Sequence, residues 1–340
     1  MRNRPTDGTL RSSLIAVLVG IVVTVVLLGV GSVSWSNALR AFFVQPFANM
    51  YYLGNMLSSM GYLLIAALGI VVAFRGGFYN LGGEGQIFVG ALAGTLAGLA
   101  LPDLPGIAGM LLVLLVAALT GAFLAGLSGV FRRVWGAPEL ITSYLLAAAM
   151  IPAAEYLIVG PANDPTRNLI ATARLPGEYW LPRLLLPSEL NVAFPVAIAV
   201  AVFFHYGIFF TVRGYELRLF GLNEEFATYA GINPTTYCVG AMSVSGALHG
   251  LTGGLMIVGT YYAAISGFTG GIGWNAIAVA LVGRLHPLGA ILAAFVFAYL
   301  DAGAKASMLH TDFTFELGTI IHAVILLFVT ASFVLSRRRR

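Results

Sequence analysis

Charge is scarce in this chain. Of 340 residues only 9% are Asp, Glu, Lys or Arg, against 59% hydrophobic. A soluble domain carries about 25% charged residues, so a water-covered globule is excluded and a polytopic membrane protein is indicated. Lysine is almost missing: Lys305 stands alone beside 17 arginines. Cysteine is almost missing too. Cys238 has no second cysteine, which excludes an intramolecular disulfide and a cysteine metal cluster. No GxxxxGK[ST] occurs, so the chain does not bind ATP through a P-loop. His205, His249, His286, His310 and His322 are scattered, with no HExxH and no close His/Asp/Glu cluster, which argues against a metal site. Ser128, Ser143 and Ser266 have no plausible base, so no catalytic residue is assigned.

Long uncharged runs are what the chain has instead. Twenty-eight residues separate Arg11 from Arg40, 34 separate Arg40 from Arg75, 28 separate Asp103 from Arg132 and 58 separate Glu225 from Arg284. A crossing needs about 20 apolar residues, so the last run holds two or more. The expected spans are about 13–34, 52–74, 86–101, 106–130, 139–160, 190–211, 237–262, 272–283, 286–304 and 317–336. The fold class is therefore all-α and polytopic, with about ten transmembrane helices, 272–283 being a short or re-entrant one. The first span is too long for a signal-peptide core and lacks a cleavage site, so it is read as retained.

Arg2, Arg4 and Arg11 precede the first span, and the chain ends Ser-Arg-Arg-Arg-Arg. Both termini, including about 12 N-terminal residues, read as cytoplasmic. Alternating from there places 13 basic residues inside and five outside. The terminal arginine run abuts a span, which speaks against nucleic acid as a partner. The whole of 1–340 reads as one domain with two notable loops. Residues 161–189, with five prolines and Trp180, are expected outside. Residues 212–236 are expected in the cytoplasm, as a short helix between turns. There Glu224 and Glu225 favour a helix N-terminus, and as neighbours they do not face each other.

One interruption stands out. FRGGFYNLGGEGQ, residues 74–86, puts five glycines, Arg75 and Glu84 between two apolar runs. A break at membrane depth is tolerated only inside protein or beside water. Asn80, Glu84 and Gln86 would then lie at the start of the next helix, able to bond free amides or meet a polar solute. The alternative is a cytoplasmic turn with Arg75 and Glu84 at the interface. Residues 267–294 echo the pattern, which points to a repeat and a transport path or simply to small residues packing helices. Trp274 and Asn275 suit stacking on, and hydrogen bonding to, a sugar or nucleobase; they equally suit an interfacial anchor. His249 reads as a polar contact between helices, Glu155 as lying near the outer interface, and Asp301 with Lys305 as an i,i+4 pair.

Glu225-Phe226-Ala227, with Gly231 four residues on, resembles the coupling motif of ATP-binding-cassette importer permeases. The wider pattern Arg218, Gly221, Asn223, Ala227, Tyr229, Ala230, Gly231 and Ile232 resembles the branch serving simple sugars and nucleosides. The segments 78–86, GAPELITS (136–143), SGALHGLTGGLMIVG (245–259) and IAVALVGRLHPLGAILAA (277–294) are similar to that branch too, so the resemblance spans about 55–335. Phe226 replaces an alanine, Tyr79 breaks a Phe-Asn pair, and Pro138 stands where the branch often has a polar residue. The resemblance implies a type II importer-like architecture in the cytoplasmic (inner) membrane. It implies a path at the centre of a pair with a second permease subunit, the same or a paralogous chain. It implies ATPase-coupling roles for Arg218, Gly221, Asn223, Glu225, Ala227 and Gly231, and path-lining roles for Asn80, Glu84, Gln86, Trp274 and Asn275. ATP and Mg would be bound by partner ATPase subunits, with no cofactor in this chain. An extracytoplasmic solute-binding protein would dock on 161–189 and deliver a nucleoside or simple sugar. The competing reading is an ion-coupled secondary carrier, which needs a buried ionisable relay that the uncharged run after Glu225 lacks. An intramembrane enzyme has no catalytic constellation to support it.

Overall fold

The computed structural model describes residues 7–31 and 34–308, with a few positions between 320 and 327. Most of the expected span 317–336 and the arginine-rich C-terminus lie outside the described residues. In chain order the helices are α1 (Asp7–Gly31), α2 (Trp35–Ala48), α3 (Met50–Arg75), α4 (Gly83–Ala100), α5 (Gly106–Trp135) and α6 (Glu139–Val159). A two-stranded antiparallel ribbon, β1 (Arg183–Leu185) and β2 (Leu190–Asn191), follows. Then come α7 (Ala193–Phe210), α8 (Val212–Leu222), α9 (Glu224–Tyr229), α10 (Pro234–Met256), α11 (Ile272–Val282) and α12 (Pro287–Ser307). A π-helical turn, Ile257–Tyr261, extends α10. Six of these are long and apolar enough to cross a membrane: α3, α5, α6, α7, α10 with its extension, and α12.

One helix falls where the sequence leads to none, and the single short helix expected in 212–236 is two. α2 fills the gap between the first two expected spans and buries Ala38, Ala41 and Phe42. Its 14 residues span about 21 Å, too short to cross. The loop 212–236 forms two short helices, α8 and α9, because Asn223 ends one and caps the other with its side chain.

α3 is the central post. Its residues from Tyr62 to Ala73 are buried without a gap, as expected of a helix that is apolar all round. α10 lies beside it and meets α5 along a seam of glycines. A Cβ on Gly121 would come within 2.1 Å of the Gly246 carbonyl, and one on Gly250 within 2.0 Å of the Ala117 carbonyl. Only small residues let two backbones approach this closely. The outer face of α5 is a stripe of exposed Ile107, Leu111, Leu115, Leu119 and Phe123, a surface suited to hydrocarbon.

α3 and α10 both end in breaks that turn the chain back toward the centre. After Arg75 the chain turns at Gly77 (φ 75°), and 76–82 lead inward to α4. After Tyr261 it turns at Tyr262 (φ 60°), and 262–271 lead inward to α11. The breaks enter from opposite ends. Arg75 sits by α8 and the Leu285 carbonyl, at the end rich in arginine. Tyr262 stacks on Trp180 at the other end, 4.0 Å between ring centroids.

Candidate functional site

The two breaks meet half-way along α10, about 20 Å from its start. A Cβ on Gly273 would lie 2.3 Å from the Glu84 amide nitrogen, so the first turns of α4 and α11 touch. Glu84 joins them. One carboxylate oxygen accepts from the Gly271 N–H at 3.0 Å and the other from the Gly273 N–H at 2.7 Å. The carboxylate thus neutralises the positive end of α11 while standing in the first turn of α4.

Asn80 and Gln86 sit behind this junction in a buried polar chain. The Asn80 amide nitrogen donates to Gln86 (2.9 Å) and Ser245 (3.0 Å), and its oxygen accepts from the Gln86 amide and the Gly82 N–H. His249 continues the chain, 2.8 Å from the Gln86 oxygen and 3.1 Å from the Ala66 carbonyl. Asn80, Gln86, Ser245 and His249 are all buried. The structure therefore brings Asn80, Glu84 and Gln86 together, with their polar atoms turned toward protein groups.

Asn275 and Trp274 part company. Asn275 faces a cavity of about 270 Å³ between α3, α10, α11 and α12. Trp274 is on the outside of α11, edge-on to Tyr144. The cavity is also lined by Asn55, Ser58, Ser59, Tyr62 and Thr260, with the Asp301–Lys305 ion pair (2.7 Å) at its wall. Sequence reasoning missed the α3 residues. Their signal was there: Asn55, Ser58, Ser59 and Tyr62 follow i, i+3, i+4, i+7, a polar stripe on one face of an apolar helix.

At the arginine-rich end α8 and α9 lie beneath the first break. Gly221 abuts its backbone: a Cβ there would fall 2.1 Å from the Arg75 carbonyl. Phe78 stacks on Phe220 of α8 at 5.4 Å. Arg218 bonds the Gly214 carbonyl and lies over the Phe209 ring. Asn223 caps α9 by accepting from the Phe226 N–H at 2.9 Å. Ala227 is buried, and Gly231 (φ 86°) takes the left-handed turn that ends α9. Glu225 is exposed among exposed Leu222, Phe226 and Tyr229. Its neighbour Glu224 is engaged instead with Arg132 (3.0 Å) and Arg133 (3.1 Å), and Arg132 pairs with Glu139 (2.8 Å). These charges were also overlooked. Their signal was an Arg pair and two separated acids in a chain that hardly uses charge.

Six helices long and apolar enough to cross a membrane, two breaks that meet half-way along α10 and a polar cavity beside them fit a membrane transport protein, a permease. The chain belongs to the family described as branched-chain amino acid transport system / permease component, whose model matches residues 52–330. It is 34% identical to the probable riboflavin import permease protein RfuC of Treponema pallidum, over 94% of this chain and 85% of that protein. It is 29% identical to the guanosine ABC transporter permease protein NupP of Bacillus subtilis, over 94% and 92%. It is 31% identical to the glucose ABC transporter permease protein TsgB13 of Haloferax volcanii, over 89% and 82%.

Proposed function

We propose that this chain is the membrane-spanning permease subunit of an ATP-binding-cassette importer that carries a nucleoside or a closely similar polyhydroxylated solute. The observation that carries the reading is the pair α8–α9. It presents exposed Leu222, Glu225, Phe226 and Tyr229 outward while Gly221 touches the re-entrant backbone. A short helix with an exposed apolar face suits the groove of a partner. Partner ATPase subunits bind ATP and Mg, grip this face and move α8 and α9. Gly221, Asn223, Ala227 and Gly231 give the two helices their shape, Arg218 holds α8 to α7, and Glu225 faces the partner.

The cavity that Asn275 lines holds the solute in transit. Hydroxyl and amide groups on α3, α10 and α11 suit ribose hydroxyls, and Tyr62, Tyr261 and Phe268 on the same wall suit a heteroaromatic base. Glu84, Asn80 and Gln86 fix the wall behind it. The relatives' names mention a flavin, a purine nucleoside and a sugar, and a run of hydroxyls is common to all three. A second permease subunit completes the path, and a solute-binding protein docks on 161–189 outside. Arg75, Arg132, Arg133, Arg218 and Arg284 gathered at one end support a cytoplasmic location for α8 and α9 in the inner membrane.

The test is uptake of labelled guanosine and glucose into proteoliposomes that contain this chain, its ATPase and its binding protein. Guanosine should enter only with all three components and ATP, and Glu225→Ala should slow entry about tenfold, a loss of docking energy typical of an interface anchor. Uptake by this chain alone, driven by an ion gradient, would overturn the reading.

A further inference from the structure

One set of contacts runs from α9 to the first break without passing through the glycine contact of α8. Glu224 divides its carboxylate between Arg132 and Arg133 at the end of α5. Arg132 turns its other nitrogen, Nη1, to Glu139 in the first turn of α6, at 2.8 Å. The second oxygen of Glu139 accepts from the backbone N–H of Tyr79 at 3.0 Å, inside the re-entrant segment. The Arg132 guanidinium also lies over the Phe78 ring, 5.0 Å from its centroid. Ser143, one turn further along α6, accepts from the Leu81 N–H at 3.0 Å.

Glu139 is 4% exposed. A buried carboxylate stripped of its cation is costly, so Glu139 and Arg132 move together. Arg132 is planar and can satisfy two carboxylates at once, which a lysine does less well. It therefore ties α9 to the very segment that leads to the α4–α11 junction. Arg133 reaches Glu224 but does not reach Glu139, so its ion pair ends at α9 without a link to the first break.

We propose that Arg132 is a positioning residue for energy coupling: with Glu139 it transmits displacement of α9 to the re-entrant segment 76–82. The proposal rests on the importer reading above. In the reconstituted complex the readout is solute carried per ATP hydrolysed. Arg132→Gln should lower that ratio about tenfold, within the usual range of coupling between two sites, while the ATPase stays bound and hydrolyses ATP. Arg133→Gln, which removes the other arm of Glu224, should leave the ratio within about twofold. Glu139→Gln keeps the acceptor for Tyr79 but removes the charge, and it should uncouple like Arg132→Gln; it decides the matter if the arginine variant does not assemble. The proposal is overturned if uptake and hydrolysis fall in proportion, if the ratio is unchanged, or if Arg133→Gln behaves like Arg132→Gln. Failure of the importer reading looks different: the unmutated complex would then show no ATP-driven uptake.

Discussion

The two breaks look alike in sequence and differ in how they are packed. In the first, side chains hold backbone: Asn80, Glu139 and Ser143 bond the amides of Gly82, Tyr79 and Leu81. In the second, side chains of Thr172, Glu155 and Glu84 bond the amides of Ala264, Gly267 and Gly271, and backbone pairing with the loop 161–189 is added to them. Ala264 and Ser266 pair with Thr172 and Ile170, and Tyr262 accepts from the Leu175 N–H. The difference lies in the glycines. A Cβ on Gly82 would strike Ser143 at 2.6 Å and one on Gly85 would strike Ala147 at 2.7 Å, whereas Gly267, Gly270 and Gly271 have open space around them. The first break is packed into the core; the second is strapped to the loop 161–189 and lines the cavity. A transporter that pushes from one end and admits solute at the other has use for that asymmetry. On the function proposed above, the first break is the element to be pushed, having no slack, and the second is the one with room to move.

The sharpest way to break the comparison is to remove the same amide from each side. Asn80→Leu leaves Gln86, Ser245 and the Gly82 N–H buried without their partner, at a cost of about 2–3 kcal/mol. Asn275→Leu faces the cavity and should stay within about 0.5 kcal/mol. Denaturant midpoints of the detergent-solubilised protein check both. Equal losses would mean that the second break is packed as tightly as the first.

Glu84 belongs to both regions, and its substitution gives the next largest effect. Glu84→Gln keeps one acceptor for the α11 amides but loses the charge between two helix N-termini. The expected cost is about 1–2 kcal/mol. Hydrogen exchange should quicken at Gly271 and Gly273 and stay slow at Gly82. A change at Gly82 as large as that at Gly273 would show the junction to be one unit rather than two.

Much of the scaffold was legible because hydropathy reports it directly. Six expected spans coincide with the six long apolar helices, and the short 272–283 is the half-length α11. The glycine-rich break was legible as a break, since glycine pairs on both sides of Asn80 favour a turn over a continuing helix. Its inward course was not, because Glu84 finds its partners, the amides of Gly271 and Gly273, 187 and 189 residues away. The role of His249 as a helix contact was read correctly from its small neighbours, as was the Asp301–Lys305 pair from its spacing. The Arg132–Glu139–Glu224 cluster is hidden for the same reason: its members look like ordinary helix ends until the chain folds, Glu224 lying 92 residues from Arg132. α2 was missed because Arg40 and Pro46 mask an amphipathic stretch too short to register as a span.

The smallest effect probes the strap on the second break. Asp164 shapes the loop that carries Ile170 and Thr172: its carboxylate accepts from the Thr166 hydroxyl and N–H, at 2.7 and 3.0 Å. Those hydrogen bonds hold its pKa below the ordinary 3.8. A depressed carboxyl contributes stability above the unfolded value, and the contribution fades as pH falls through the folded one. Acidification below about pH 4 should therefore loosen this loop first, while the first break, held by side chains in the interior, keeps its packing. Trp180, stacked on Tyr262 where the second break begins, reports the change by fluorescence. Asp164→Asn should flatten that acid response. If the Trp180 signal changes at the same pH in the variant, the loosening belongs to another group and the strap does not depend on Asp164.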